Sequence, residues 1–189
     1  MTGRATGLIL AVAAMLLAAC GFEPMYGART GSLATAEELS MVELAPILDR
    51  ERQPYRLGLQ MQNALSARLY PSGVASPRYR LEVVVDRELQ GFGFRSDEAV
   101  TRYGLRLIAS YRLIDLATDQ VALAETARVY NSFDVAQSDF ATQMAERDME
   151  ERLTRELSER IASRLSLHFR DKAEDAGAAA ADARTAPAP

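Results

Sequence analysis

The residue type and setting most suited to covalent chemistry belong to Cys20, the sole cysteine of 189 residues. It ends Leu17-Ala18-Ala19-Cys20, directly after an unbroken apolar run from Leu8 to Ala19, with Arg4 upstream. A basic start, an apolar middle and small residues before a cysteine form a bacterial secretion signal of the lipoprotein kind. Residues 1–19 are expected to be removed, leaving Cys20 as the first residue, carrying a thioether-linked diacylglycerol and an N-acyl chain (palmitate). The apolar run is too short for a membrane span, which needs ~20 residues. Several acyl chains give durable attachment, at ~0.8 kcal/mol per buried methylene, so the anchor holds a body at a membrane without crossing it. Gly21, where inner-membrane lipoproteins commonly carry aspartate, favours the periplasmic face of the outer membrane.

Other chemistry fails on inventory. The only histidine is His168, and with Cys20 acylated no thiol remains to pair with it. No His-x3-His, CxxC or calcium-loop spacing occurs. Gly91-Phe92-Gly93-Phe94 lacks the lysine and the strand-to-helix setting of a phosphate loop, and no serine sits in a nucleophile elbow. Asp97 and Glu98 are neighbours whose side chains diverge. The expectation is a protein without catalytic residues, metal or cofactor beyond the acyl chains. The composition, 48% hydrophobic and 25% charged with a net charge of −4, gives no electrostatic support for nucleic-acid binding.

The elements that would hold such a body follow from periodicity. About 170 residues remain after the signal, which suits one domain. Residues 20–37 read as a lipidated tether, 38–170 as the folded domain, and 171–189 as a disordered Ala/Pro-rich tail. Met41 to Ile47 is a short strand, with Pro46 favouring an edge or a strand end. Pro54 suits the first position of a helix, whose apolar stripe is Leu57, Met61, Ala64, Leu65 and Leu69. Three strands follow. Tyr79, Leu81, Val83 and Val85 face one way in the first. Tyr103, Leu105, Leu107, Ala109, Tyr111 and Leu113 do so in the second, and Val121, Leu123, Ala127, Val129 and Phe133 in the third, where Glu125 breaks the pattern. A last helix runs from about Ser138, its N-cap, to Phe169, with the stripe Phe140, Met144, Ala145, Met149, Leu153, Leu157, Ile161 and Leu165. The order β-α-β-β-β-α predicts an α+β two-layer sandwich, two helices on one face of a four-stranded, mostly antiparallel sheet.

The outward face of the long strands carries Arg80, Arg102, Arg106 and Arg112, with Ile108 and Ile114. The connection Gln90 to Asp97 holds Phe92 and Phe94 between glycines, followed by Arg95. Two readings stand: the phenylalanines cap the core beside a solvated Arg95, or the three contact a ligand both apolar and anionic. A lipid bearing phosphate groups meets the second description, since arginine donates to phosphate oxygens in a forked geometry.

Leu17 to Gly27, Leu-Ala-Ala-Cys-Gly-Phe-Glu-Pro-Met-Tyr-Gly, resembles the start of lipopolysaccharide-assembly lipoproteins of the LptE family, in the form that opens Cys-Gly-Phe-x-Pro-hydrophobic-Tyr-Gly. Ala45-Pro46-Ile47, Leu59 to Leu65, Val129 to Phe133 and Glu146-Arg147-Asp148-Met149 sit where that family has similar sequence. The resemblance spans roughly residues 17–170. It implies an outer-membrane lipoprotein without catalysis that plugs the LptD β-barrel, assists its assembly and takes part in lipopolysaccharide insertion. It also implies contact with lipopolysaccharide through Arg95, beside Phe94 and Phe92, while Gln143 stands where a second basic residue is expected. The other reading is an auxiliary lipoprotein of an ABC-type phospholipid transport system.

Overall fold

In the computed structural model, residues 36–48, 53–70, 76–94 and 100–185 are described, all within one folding unit, Ala34–Pro189. Cys20, Gly21 and the opening Phe22 to Gly27 lie outside them, as do Arg95, Asp97 and Glu98. A helical turn over 36–40 precedes β1 (Val42–Leu44), α1 (Arg56–Leu69), β2 (Tyr79–Phe94), β3 (Val100–Asp115), β4 (Gln120–Asp134) and α2 (Asp139–Thr185). The sheet order is β1-β2-β3-β4, with β1 parallel to β2 and the other pairs antiparallel. This is the expected α+β sandwich.

Alternation decides which face is covered. Tyr79, Leu81, Val83 and Val85 of β2, Leu105 to Leu113 at every second position of β3, and Val129 and Phe133 of β4 are all buried. They meet Leu57, Met61, Leu65 and Leu69 of α1 and Met149, Leu153, Leu157, Ile161, Leu165 and Phe169 of α2. Burying a side chain of this size contributes about 1.5–3 kcal/mol. Gly58 lets α1 approach the strand segment closely: a Cβ there would stand 2.5 Å from the carbonyl oxygen of Ile47. Ser138 caps α2 as expected, its Oγ accepting from the Ala141 N–H at 3.2 Å.

Strand β1 is shorter than the expected Met41 to Ile47, and five further details differ from the sequence reading. Helix α1 starts at Arg56, because Pro54 pairs with Leu48 in an isolated bridge and Tyr55 occupies the N-cap. Strand β2 runs through Gly91 and Gly93 to Phe94, with Phe92 opposite Arg102 and Phe94 opposite Val100, so the phenylalanines belong to a strand rather than a connection. Gly93 has φ 73°, a backbone that glycine takes without steric cost, which lets the pair continue through a kink. Val121 is 51% exposed, because a register shift at Leu113/Ile114 pairs it with Ile114 on the outer face. Phe140 is 71% exposed in the first turn of α2, so the buried stripe begins later, at Met149.

The fifth difference is at the other end of α2. The helix continues to Thr185, where a disordered tail is expected from residue 171. Alanine has the highest helix propensity, and a packed helix extends without a new nucleation cost. Arg170 reaches Glu174 one turn on, at 3.7 Å. No described helix is long and apolar enough to cross a membrane.

Candidate functional site: the uncovered sheet face

Both helices pack on one face of the sheet, and the other face is uncovered among the described residues. The register places Arg80, Glu82, Val84, Asp86, Glu88 and Phe92 of β2 on it. Arg102, Arg106, Ile108, Ser110, Arg112 and Ile114 of β3 share it, as do Thr126, Arg128, Tyr130 and Asp134 of β4. The four arginines expected there are all present, but they do not form a cationic patch. Arg80 meets Glu43 at 3.6 Å, Arg112 meets Glu82 at 2.6 Å, Arg106 meets Glu88 at 3.1 Å and Arg102 meets Asp134 at 2.7 Å. Each pair joins neighbouring strands, so charge is neutralised locally and register is reinforced. Exposed pairs of this kind contribute little to stability, about 0–1 kcal/mol each.

The end of this face near the β2–β3 turn is built around Gly104. It is a buried glycine on the outer side of β3, between Gln90 and Ser132. With no side chain beneath them, Phe92 and Tyr130 close over it. A Cβ at 104 would stand 2.7 Å from the Tyr130 hydroxyl and 3.1 Å from Phe92 Cε1. Arg106 holds the other side of Tyr130, its guanidinium 5.8 Å from the ring centroid while it donates to Glu88. Beside Phe92, a shallow cavity of about 330 Å³ is lined by Gly93, Thr101, Arg102 and Asp134. Thr101 Oγ1 donates to the Gly93 carbonyl at 2.8 Å and fixes the kinked end of β2.

The structure thus brings Phe92 together with Arg102, Gly104, Tyr130 and Asp134. Phe92 is half-buried and belongs to the outer face; Phe94 closes β2 opposite Val100. Tyr130 and Gly104 carry no sequence signal of a shared site, since their proximity follows from a strand register set far along the chain. Gln143 is exposed in the second turn of α2.

On the covered side, polar groups serve the packing. Arg164 grips Glu125 through Nε at 2.9 and 3.0 Å and Nη2 at 2.7 Å, and Tyr111 donates to the same carboxylate at 3.2 Å. These bonds explain why Glu125 sits within an apolar pattern. The Arg164 hydrogen bond holds the Glu125 carboxyl below its usual range, and burial beside Glu125 pushes Tyr111 up to about 12. His168 is lowered mainly by burial, with Lys172 and Arg164 opposing its charge. Its ring is tilted 58° to that of Phe169, with centroids 5.6 Å apart, and its Nε2 has no hydrogen-bond partner among the described residues. Among the described residues, nothing around it resembles a nucleophile–base pair. Among the described residues no group of three or more side chains is placed to hold a metal ion.

The fold is shared with solved lipoprotein structures. One described as a lipoprotein, from Caulobacter crescentus CB15, is similar with TM-score 0.56 at 20% identity, over 72% of this chain and 96% of that one. A minor lipoprotein from Acinetobacter baumannii gives 0.50 at 18% identity, over 67% and 88%. Rare lipoprotein B from Shewanella oneidensis gives 0.50 at 11%, over 66% and 92%. No curated protein matches the chain. The family profile described as LptE, lipopolysaccharide-assembly, matches residues 41–165, from the start of β1 to the last core leucine of α2. The chain belongs to the LptE lipopolysaccharide-assembly family.

Proposed function

We propose that this protein is a lipid-anchored, non-catalytic plug of the LptD outer-membrane β-barrel, which assists the barrel's assembly and takes part in lipopolysaccharide insertion. The observation that carries the reading is the uncovered face of a sheet in a member of this family. Four of its arginines, Arg80, Arg102, Arg106 and Arg112, are already matched by carboxylates, so covering them costs less than burying isolated charges. Its exposed apolar and aromatic side chains, Val84, Val121 and Tyr130, supply the contact area that interfaces use. Acylated Cys20 holds the body at the inner leaflet of the outer membrane, where the barrel matures. Lipopolysaccharide meets the β2–β3 end, with Phe92 and Phe94 taking apolar contacts and Arg95 a phosphate.

Depletion tests this reading. With the protein depleted, the level of correctly matured barrel and the lipopolysaccharide reaching the surface both fall. Unchanged levels of both would sink it.

A further inference from the structure

Strand β2 has an edge that its neighbour only partly covers. Tyr79 N–H donates to the Met41 carbonyl at 3.2 Å and Ala45 N–H to that of Leu81 at 2.9 Å, whereas the Arg78 carbonyl accepts from Leu116 on the β3 side. Odd-numbered residues of β2 therefore turn their backbone groups toward β1, and even-numbered ones toward β3. Strand β1 ends at Leu44 and Pro46 follows, so the cover stops early. Tyr55 Oη donates to the Val85 carbonyl at 3.2 Å. Beyond it, the N–H and C=O groups of Arg87, Leu89 and Gly91 have no backbone partner among the described residues.

The opposite edge of the sheet is treated differently. On β4 the Arg128 carbonyl accepts from Arg160 at 3.2 Å, and the Ser132 N–H donates to its neighbour Asn131 at 2.8 Å. Side chains thus occupy edge groups there, which blunts pairing with another strand. The β2 edge has no such cover from Arg87 to Gly91 among the described residues.

A groove of about 500 Å³ opens where β1 leaves β2, lined by Leu48, Tyr55, Arg56, Arg87, Glu146 and Glu150 among others. Glu150 is 1% exposed. Its Oε2 accepts from Arg87 Nε at 3.1 Å, and Arg87 also pairs with Glu146. Its Oε1 forms an ion pair with Arg56 Nη2 at 2.7 Å. Arg56 is 54% exposed.

We propose that the free edge of β2 from Arg87 to Gly91 accepts an extended segment of a partner polypeptide, which carries a lysine or arginine into the groove beside Glu150. Main-chain hydrogen bonds along the edge supply affinity, and alternate side chains supply selectivity. On the helix side the added strand meets Leu89, 38% exposed, and then the acceptors of Glu146 and Glu150. The groove is lined by three carboxylates, Asp86, Glu146 and Glu150, and two arginines, Arg56 and Arg87, which selects a donor-bearing side chain rather than a further carboxylate. The inference is independent of the barrel reading.

The probe is a short fluorescent peptide of alternating valine and threonine with one central lysine, titrated against the full chain in detergent micelles. Saturable binding is expected, weakened about tenfold or more by replacing the peptide lysine with glutamate. Leu89→Pro weakens it similarly, because that N–H faces the edge and its loss spares the β2–β3 ladder. In the unsubstituted protein, bound peptide slows hydrogen exchange at the Arg87, Leu89 and Gly91 amides, a readout that does not rely on any variant folding. No saturable binding, equal binding of the glutamate peptide, or no protection at those three amides would each overturn the proposal. So would light scattering showing that two copies pair through this edge in place of the peptide.

Discussion

Tyr130 lies across Gly104, so near that a single added methyl at 104 would stand 2.7 Å from its hydroxyl. That contact ties two strands on the uncovered face and sets the ring that Arg106 and Phe92 flank. Because the nearest atoms are the far end of a side chain, Gly104→Ala tilts Tyr130 outward rather than breaking the sheet. The expected result is a small stability change, within about 1 kcal/mol, with weakened association with the barrel. A thermal melt and a pull-down on the same variant check both.

Gly58 presents the opposite case. Its nearest neighbour is backbone, the Ile47 carbonyl at 2.5 Å from an added Cβ, with the Tyr55 ring equally close. Alanine favours a helix interior over glycine by about 1 kcal/mol, yet the clash forces α1 away from the strand segment. Gly58→Ala should therefore destabilise, by about 1–3 kcal/mol net. Urea denaturation decides the sign.

How far was this legible beforehand? Strong alternation in β2 and β3 and the stripes of α1 and α2 foretold the two layers, because burial on one face leaves a periodic trace. What failed was whatever depends on pairing between distant segments. Val121 follows the alternation of β4 but turns outward, since a register shift lies between it and Leu123. Phe92 and Phe94 sit among glycines that read locally as a connection, yet β3 offers them partners. Of the site, the four outer arginines are visible in the sequence; their pairing with carboxylates is not, because Asp134 is 32 residues from Arg102. The Arg56–Glu150–Arg87 cluster joins three elements and leaves no local trace.

Acid should loosen the helix layer in two stages. His168 is lowered in the fold, so the folded state resists its protonation and stability falls as pH drops through 6.5 toward the folded value. Glu125 is also lowered, so its contribution is present above 4.5 and lost as pH falls further. His168→Gln should remove the first loss and Glu125→Gln the second. Denaturation midpoints measured from pH 8 to pH 3 separate them.

Alkali acts through Tyr111. With its folded value pushed up to about 12, the fold keeps the phenol neutral, and stability falls as pH rises from 10 toward 12. Tyr111→Phe, which keeps the ring, should flatten that limb while leaving neutral-pH stability within about 1–1.5 kcal/mol. Melting profiles between pH 8 and pH 12 check the difference.

The proposed membrane attachment rests on Cys20. Cys20→Ser should abolish incorporation of labelled palmitate and release the body from the membrane fraction. Retained labelling would mean that another residue is acylated.

The central claim is that the uncovered sheet face meets the LptD barrel. The most direct measurement places a photocrosslinking amino acid at Tyr130 in living cells and identifies what it captures. The same probe at Ser163, on the exposed side of α2, serves as the comparison. The account predicts a crosslink from position 130 to LptD. Capture of LptD from α2 alone, or from neither position while the barrel is present at normal levels, would contradict it.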